Sequence, residues 1–144
     1  MYDAYNTYAA PAAPAAAGDY PVVYRNLMSI GLLGAIYRCA DDAQLVNEAV
    51  EATLDDPTMY RMWRSIALGM GGDASYAKTN LGAHLEQNPE DDNAKVAMAV
   101  SMMLSGDPEW KHWLDNVLAT STEQSAREAA NGVLSYLATV QQTH

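Results

Sequence analysis

The side chains of this 144-residue chain that most invite a chemical reading are the single thiol, Cys39, and three imidazoles, His84, His112 and His144. Arg38 stands beside Cys39, and a neighbouring cation favours a thiolate. A cysteine nucleophile also needs a base, and no histidine lies at a recognisable spacing from it. The histidines are scattered, with no H-E-x-x-H and no close Cys–His pair of the kind that holds zinc. They read as surface or interface residues, and the thiol reads as idle. The acidic runs Asp55-Asp56 and Glu90-Asp91-Asp92 fall where helices should begin. Carboxylates there complement the helix dipole, which explains them without a calcium site. Gly71-Gly72 lacks the Lys-Ser/Thr of a phosphate loop. The expectation is a protein that is not an enzyme and uses no cofactor or metal.

Composition narrows the partners. The formal charge is −10 with only eight Lys and Arg residues, too few cations to clothe a phosphate backbone, so no nucleic acid is expected. The same acidity repels anionic membrane surfaces and keeps an apolar docking face soluble. No apolar stretch is long enough to span a bilayer, so no membrane insertion is expected. One cysteine permits no internal disulfide, which favours a reducing compartment. The start, Met1-Tyr2-Asp3, lacks the basic opening and apolar run of a secretory signal. A cytoplasmic location is the expectation.

Residues 1–20 form an Ala/Pro tail without hydrophobic period, in which Pro11 and Pro14 oppose helix. It is expected to be disordered, although Tyr2, Tyr5 and Tyr8 could form a docking motif. Residues 21–140 read as one all-α domain. Ala, Leu, Met and Glu are plentiful, Phe is absent, and short breakers punctuate the chain. About seven helices are expected, near 22–38, 42–54, 58–70, 74–87, 91–104, 108–119 and 121–140. The first has Leu27, Ile30, Leu33 and Ile36 among its apolar residues. Turns this short force consecutive helices to pack as antiparallel neighbours.

The sharpest organising signal is a repeat. Gly72-Asp73 and Gly106-Asp107 fall at two helix–helix turns with their glycines 34 residues apart, the tetratricopeptide period. Ala77, Leu81 and Pro89 follow the first pair where such a repeat wants small, large and terminating residues, and Ala99 is a small residue where paired helices approach. The fit is imperfect. Trp63, Ile66, Ala67 and Met70 match the W-x-x-L-G-x-x-Y pattern, but the turn to Asp73 is then two residues short. The first unit, near 24–57, carries the pattern more weakly still.

Three stretches, RMWRSIALGMGGDASYA, PEDDNAKVAMAVSMMLSGD and DNVLATSTEQSAREAANGVLSYL, resemble the needle-subunit chaperones of bacterial type III secretion. The likeness covers about residues 27–140 and leaves the tail unmatched. Its clearest part is Leu118-Ala119-Thr120-Ser121 followed by Asn131-Gly132. The resemblance implies tetratricopeptide-like helical hairpins with a concave groove. It also implies a cytoplasmic chaperone that, with a small helical co-chaperone, holds the amphipathic C-terminal helix of the needle subunit and prevents premature polymerisation. A generic tetratricopeptide adaptor or assembly scaffold is the other reading.

A groove that binds an amphipathic helix must present apolar side chains to the partner's i, i+3, i+4, i+7 stripe. First helices of tetratricopeptide pairs line the concave side. On that register the candidates for partner binding are Met59, Met62, Ile66 and Met70 in one repeat and Val96, Val100 and Met103 in the next. Trp63 joins them, although the register matching its own pattern would make Trp63, Ile66 and Met70 core of a hairpin. The chain's eight methionines suit such a surface, because an unbranched thioether repacks against varied shapes. Arg61 and Arg64, three apart on one helix face, and Lys95 could meet a carboxylate of the partner. Trp110 and Trp113 should bury against the last helix or serve the co-chaperone. Gly31 and Gly34 mark a close helix seam.

Overall fold

The computed structural model describes residues 20–142. It is all α-helical, with no strand among the described residues: α1 (Val22–Ile36), α2 (Ala40–Thr53), α3 (Thr58–Met70), a π-helical turn (Ala77–Leu81) running directly into α4 (Gly82–Gln87), α5 (Asp92–Ser105), α6 (Trp110–Thr120) and α7 (Gln124–Gln142). The expected tail, with Tyr2, Tyr5 and Tyr8, lies outside the described residues apart from Tyr20, as does His144.

The 34-residue period is built into the backbone. At the end of α3 the Asp73 N–H bonds the Leu68 carbonyl at 2.9 Å, and at the end of α5 the Asp107 N–H bonds Met102 at 2.8 Å. Gly72 and Gly106 sit between them with φ +97° and +84°, the left-handed residue that closes a helix and frees its last carbonyls for such bonds. The same turn ends α1. The Cys39 N–H bonds the Gly34 carbonyl at 2.7 Å, and the left-handed residue is Arg38, φ +63°. Positions 38, 72 and 106 are therefore equivalent, each 34 after the last, in a repeat whose first copy lacks the glycine. A side chain in the left-handed region is strained by about 1 kcal/mol. Arg38→Gly should accordingly raise stability by about 0.5–1 kcal/mol in urea titration. A loss of stability would mean the Arg38 side chain matters more than its backbone.

Helices α1, α3, α5 and α7 begin at residues 22, 58, 92 and 124, so successive starts are 36, 34 and 32 residues apart. These four run the same way. Ser101 on α5 donates to the Ser65 carbonyl of α3 at 2.7 Å, and Asn93 near the start of α5 reaches Ser125 near the start of α7 at 3.3 Å. On α1, Met28 packs with Tyr60 of α3, and Ala35 with Ala67 and Leu68. The intervening helices return the chain, giving hairpins α1/α2, α3/α4 and α5/α6, with α7 as a final first helix. The core is correspondingly serial. One cluster joins Met62, Leu81, Leu85, Met98 and Met102 across the second hairpin and α5, and the next joins Val96, Leu114, Val117, Ala126 and Ala130. Trp110 and Trp113 bridge the two, half-buried. They therefore reach the seam between repeats as well as the core that includes α7.

Helix α1 buries Met28, Gly31 and Ala35, with Leu32 and Ile36 packed partly buried against the core, while Leu27, Ile30 (57% exposed) and Leu33 (50% exposed) lie outside. The reason is the seam. An added Cβ at Gly31 would strike the Asn47 side chain, and one at Gly34 would meet the Ala43 methyl at 2.5 Å. The side turned to α2 is thus fixed by close approach, and the bulky apolar residues fall on the other faces.

Candidate partner-binding groove

Between the parallel helices α3 and α5 the surface opens into a cavity of about 460 Å³. That falls inside the range of roughly 300–1,000 Å³ typical of sites that enclose a ligand. Met59, Met62, Trp63 and Ile66 line it from α3, Val96, Ala97 and Val100 from α5, and Ala129 from α7. The helical spacing explains the set: 59, 62, 63 and 66 form one stripe on α3, and 96, 97 and 100 form the facing stripe on α5. Burial divides these residues by depth. Met62, Val96 and Ala97 are buried, whereas Met59, Trp63, Ile66 and Val100 keep partial exposure.

Six of the eight side chains expected to bind a partner, Met59, Met62, Trp63, Ile66, Val96 and Val100, are brought together here. Met70 and Met103 are not among the lining residues. Met70 is the last residue of α3, 51% exposed, one turn beyond Ile66. Met103 is three residues beyond Val100 and does not line the cavity either. Trp63 and Ile66 each touch the core as well as the cavity, whereas Met70, which the hairpin-core register also included, is exposed. Trp63 packs against the Met28/Tyr60 cluster, and Ile66 against the Met62/Met98 cluster, while each also faces the opening.

One end of the cavity is acidic, which the apolar pattern did not suggest. Asp56, His84 and Asp91 line it. His84 Nε2 lies 2.6 Å from the Asp91 carboxylate, both side chains about one-quarter exposed. Asp91 also caps α5, accepting the Ala94 N–H at 3.2 Å. Asp56 accepts the Thr58 N–H at 3.0 Å as α3 begins. Hydrogen bonds from Thr58 hold the Asp56 carboxyl below the usual range, and the nearby His84 adds to this against the opposing effect of burial. The acid runs are therefore helix starts, as their position in the sequence suggested. Because α3 and α5 start at the same end, their carboxylates also converge. The signal that could have found them is the period itself, since Asp56 and Asp91 precede equivalent helices.

The nearby cations are engaged elsewhere. Arg64 Nη1 donates to Glu51 at 3.0 Å and Arg61 Nε to the same carboxylate at 3.5 Å, and the Tyr76 hydroxyl also bonds it. The Arg64 guanidinium additionally stacks over the Tyr76 ring, 4.4 Å from its centroid. Lys95 binds Asp92 at 2.8 Å and Asn116 at 3.2 Å. These three basic residues join α2, α3, the π-turn, α5 and α6. In this structure they serve the fold, and a partner carboxylate would have to compete for them.

Other reactive side chains stay apart. Cys39 is exposed at the α1–α2 turn, its Sγ 3.6 Å from the Tyr37 carbonyl. Among the described residues no three His, Cys, Asp or Glu side chains are grouped to hold a metal ion, and no helix is long and apolar enough to cross a membrane. The groove combines an apolar floor that opens to solvent with one charged rim. No protein-family model, curated protein or solved structure matches this chain.

Proposed function

We propose that this chain is a cytoplasmic chaperone of a bacterial type III secretion system. It holds the amphipathic C-terminal helix of the needle subunit in the α3/α5 groove and prevents premature polymerisation. The observation that carries the reading is the convergence of Met59, Met62, Trp63, Ile66, Val96 and Val100 on one open apolar cavity between parallel helices. An isolated domain gains nothing from keeping such a surface in water, whereas a helix-binding protein needs it. Methionines on that floor let it adapt to a helix of varied shape. A second surface supports a further subunit. The outer faces of α1 leave Val23, Leu27, Ile30, Leu33 and Tyr37 exposed, a stripe on which a small helical co-chaperone would dock.

The test is co-expression with the needle subunit of the cell's own secretion system, read by size-exclusion chromatography. The complex should run as a small soluble species, whereas the subunit alone polymerises. Val100→Asp places a charge on the groove floor and should weaken binding about 30-fold or more, the loss expected of an interface anchor. Met103→Asp, outside the cavity, should bind as the unaltered chain does. Equal binding by Val100→Asp would show that the client docks elsewhere. An adaptor or assembly scaffold would instead leave its partners' oligomeric state unchanged. The exposed α1 stripe, a second apolar surface besides the groove, is what favours that alternative.

A further inference from the structure

We infer that the groove selects a cationic amphipathic helix, seating two neighbouring apolar anchors on the methionine floor and one Lys or Arg against Asp56 and Asp91. This rests on the helix-binding reading of the same cavity. Its volume limits the apolar contribution. A protein cavity of about 150 Å³ holds a benzene ring, so 460 Å³ takes two or three large side chains. That corresponds to about one turn of a helix, i with i+3 or i+4, and not a full-length stripe. Specificity within so short a contact must come from the rim.

The rim supplies it through charge. Asp56 and Asp91 stand at the same end of the cavity, at the starts of α3 and α5, and no lysine or arginine lines the opening among the described residues. Arg61 and Arg64 are turned to Glu51, and Lys95 to Asp92. His84 hydrogen-bonds Asp91 through a single ring nitrogen, and His84 and Arg61 also act on Asp56, from beyond hydrogen-bond distance. Asp56 accepts a side-chain hydrogen bond and the backbone N–H from Thr58, and Asp91 accepts the Ala94 N–H. An ionised carboxylate has about four acceptor positions, so both keep capacity for a partner's ammonium or guanidinium. A client cation one turn outside the apolar pair would reach them, whereas a client carboxylate would meet like charge in a chain of net −10.

The experiment uses fluorescent Ala/Gln helices carrying Leu at i, i+3, i+4 and i+7, titrated with the full chain and read by anisotropy. One peptide has no charge, two carry a single Lys one turn beyond either end of the stripe, and a fourth carries it on the opposite face. One of the two end-Lys peptides should bind about two- to fivefold more tightly than the opposite-face peptide, the gain expected of a partly exposed pair of charges. Asp56→Asn with Asp91→Asn should erase that preference, read as the ratio of the end-Lys affinity to the opposite-face affinity within each variant. Asn still caps a helix start, and Asp56→Asn alone repeats the test away from the α5 cap. Four peptides of equal affinity overturn the charge selection and leave the groove standing. A preference that survives the Asn substitutions assigns it to the overall field of the protein, and the inference fails. If not even the uncharged stripe binds, the groove reading falls and takes the charge selection with it.

Discussion

Gly69→Ala should lower the melting temperature by about 10 °C, and Gly132→Ala should raise it, although both exchange the same atoms within a helix. Alanine is the better helix former by about 0.5–1 kcal/mol, and at Gly132 nothing lies within 4 Å of the added methyl. Only the propensity gain remains there. At Gly69 the methyl would lie 2.6 Å from the Ser101 carbonyl oxygen and 2.8 Å from its Cα. The obstacle is backbone, which no rotamer change moves aside. Helices α3 and α5 would have to separate, loosening the Ser101–Ser65 hydrogen bond and the floor of the groove between them. Overpacking of this kind costs about 1–3 kcal/mol, sometimes more, and outweighs the propensity term. Thermal unfolding followed by circular dichroism reads both signs. A stabilised Gly69→Ala would mean that the two helices are not in contact at Ser101.

Asn47→Ala is the second large effect expected, about 3 kcal/mol from denaturant unfolding. Asn47 is buried on α2 and joins three helices. Its Nδ2 donates to the Gly31 carbonyl of α1 at 3.3 Å, and its Oδ1 accepts the hydroxyl of Tyr60 on α3. Alanine leaves the buried Tyr60 hydroxyl unpaired and takes the second donor from the Gly31 carbonyl, and together with the cavity left behind this costs about 3 kcal/mol. Tyr60→Phe should lose less, because it strands only one acceptor. Combining the two substitutions should fall short of the sum of their effects. The hydroxyl also reports on pH. Burial pushes Tyr60 up to about 12, against a lowering by Arg64 that the weaker effect of Glu51 partly offsets. A raised folded-state value favours the protonated form, so this contribution is complete below about pH 10, the ordinary tyrosine value. It is lost as pH climbs from 10 towards 12. Tyr60→Phe should therefore show a shallower alkaline loss of stability than the unaltered chain. Parallel slopes would mean the hydroxyl is not held in the buried network.

The fold was largely legible in the sequence because its signals are local. Breakers such as Asp56-Pro57, Gly71-Gly72 and Gly106 set helix ends within a few residues of where they lie, since a cap or a positive φ acts on its own turn. The all-helical hairpin architecture and the 34-residue spacing follow from those marks alone. The apolar spacing on α3 and α5 likewise placed Met59, Met62, Trp63, Ile66, Val96 and Val100 on facing stripes. Tertiary structure decided the rest. The first repeat stayed faint because Arg38 holds the left-handed position that glycine marks in the other two, a conformation that an arginine in the sequence does not announce. The side of α1 turned to α2 is chosen by close approach to Asn47 and Ala43, which a count of apolar residues along the helix does not reveal. Met70 and Met103 share the composition of the groove residues yet end up beyond it, because the cavity closes before either is reached. The acidic corner exists only once two distant helix starts lie side by side. Sequence spacing dictates what each helix offers, and only the packing of one repeat on the next dictates what those offers meet.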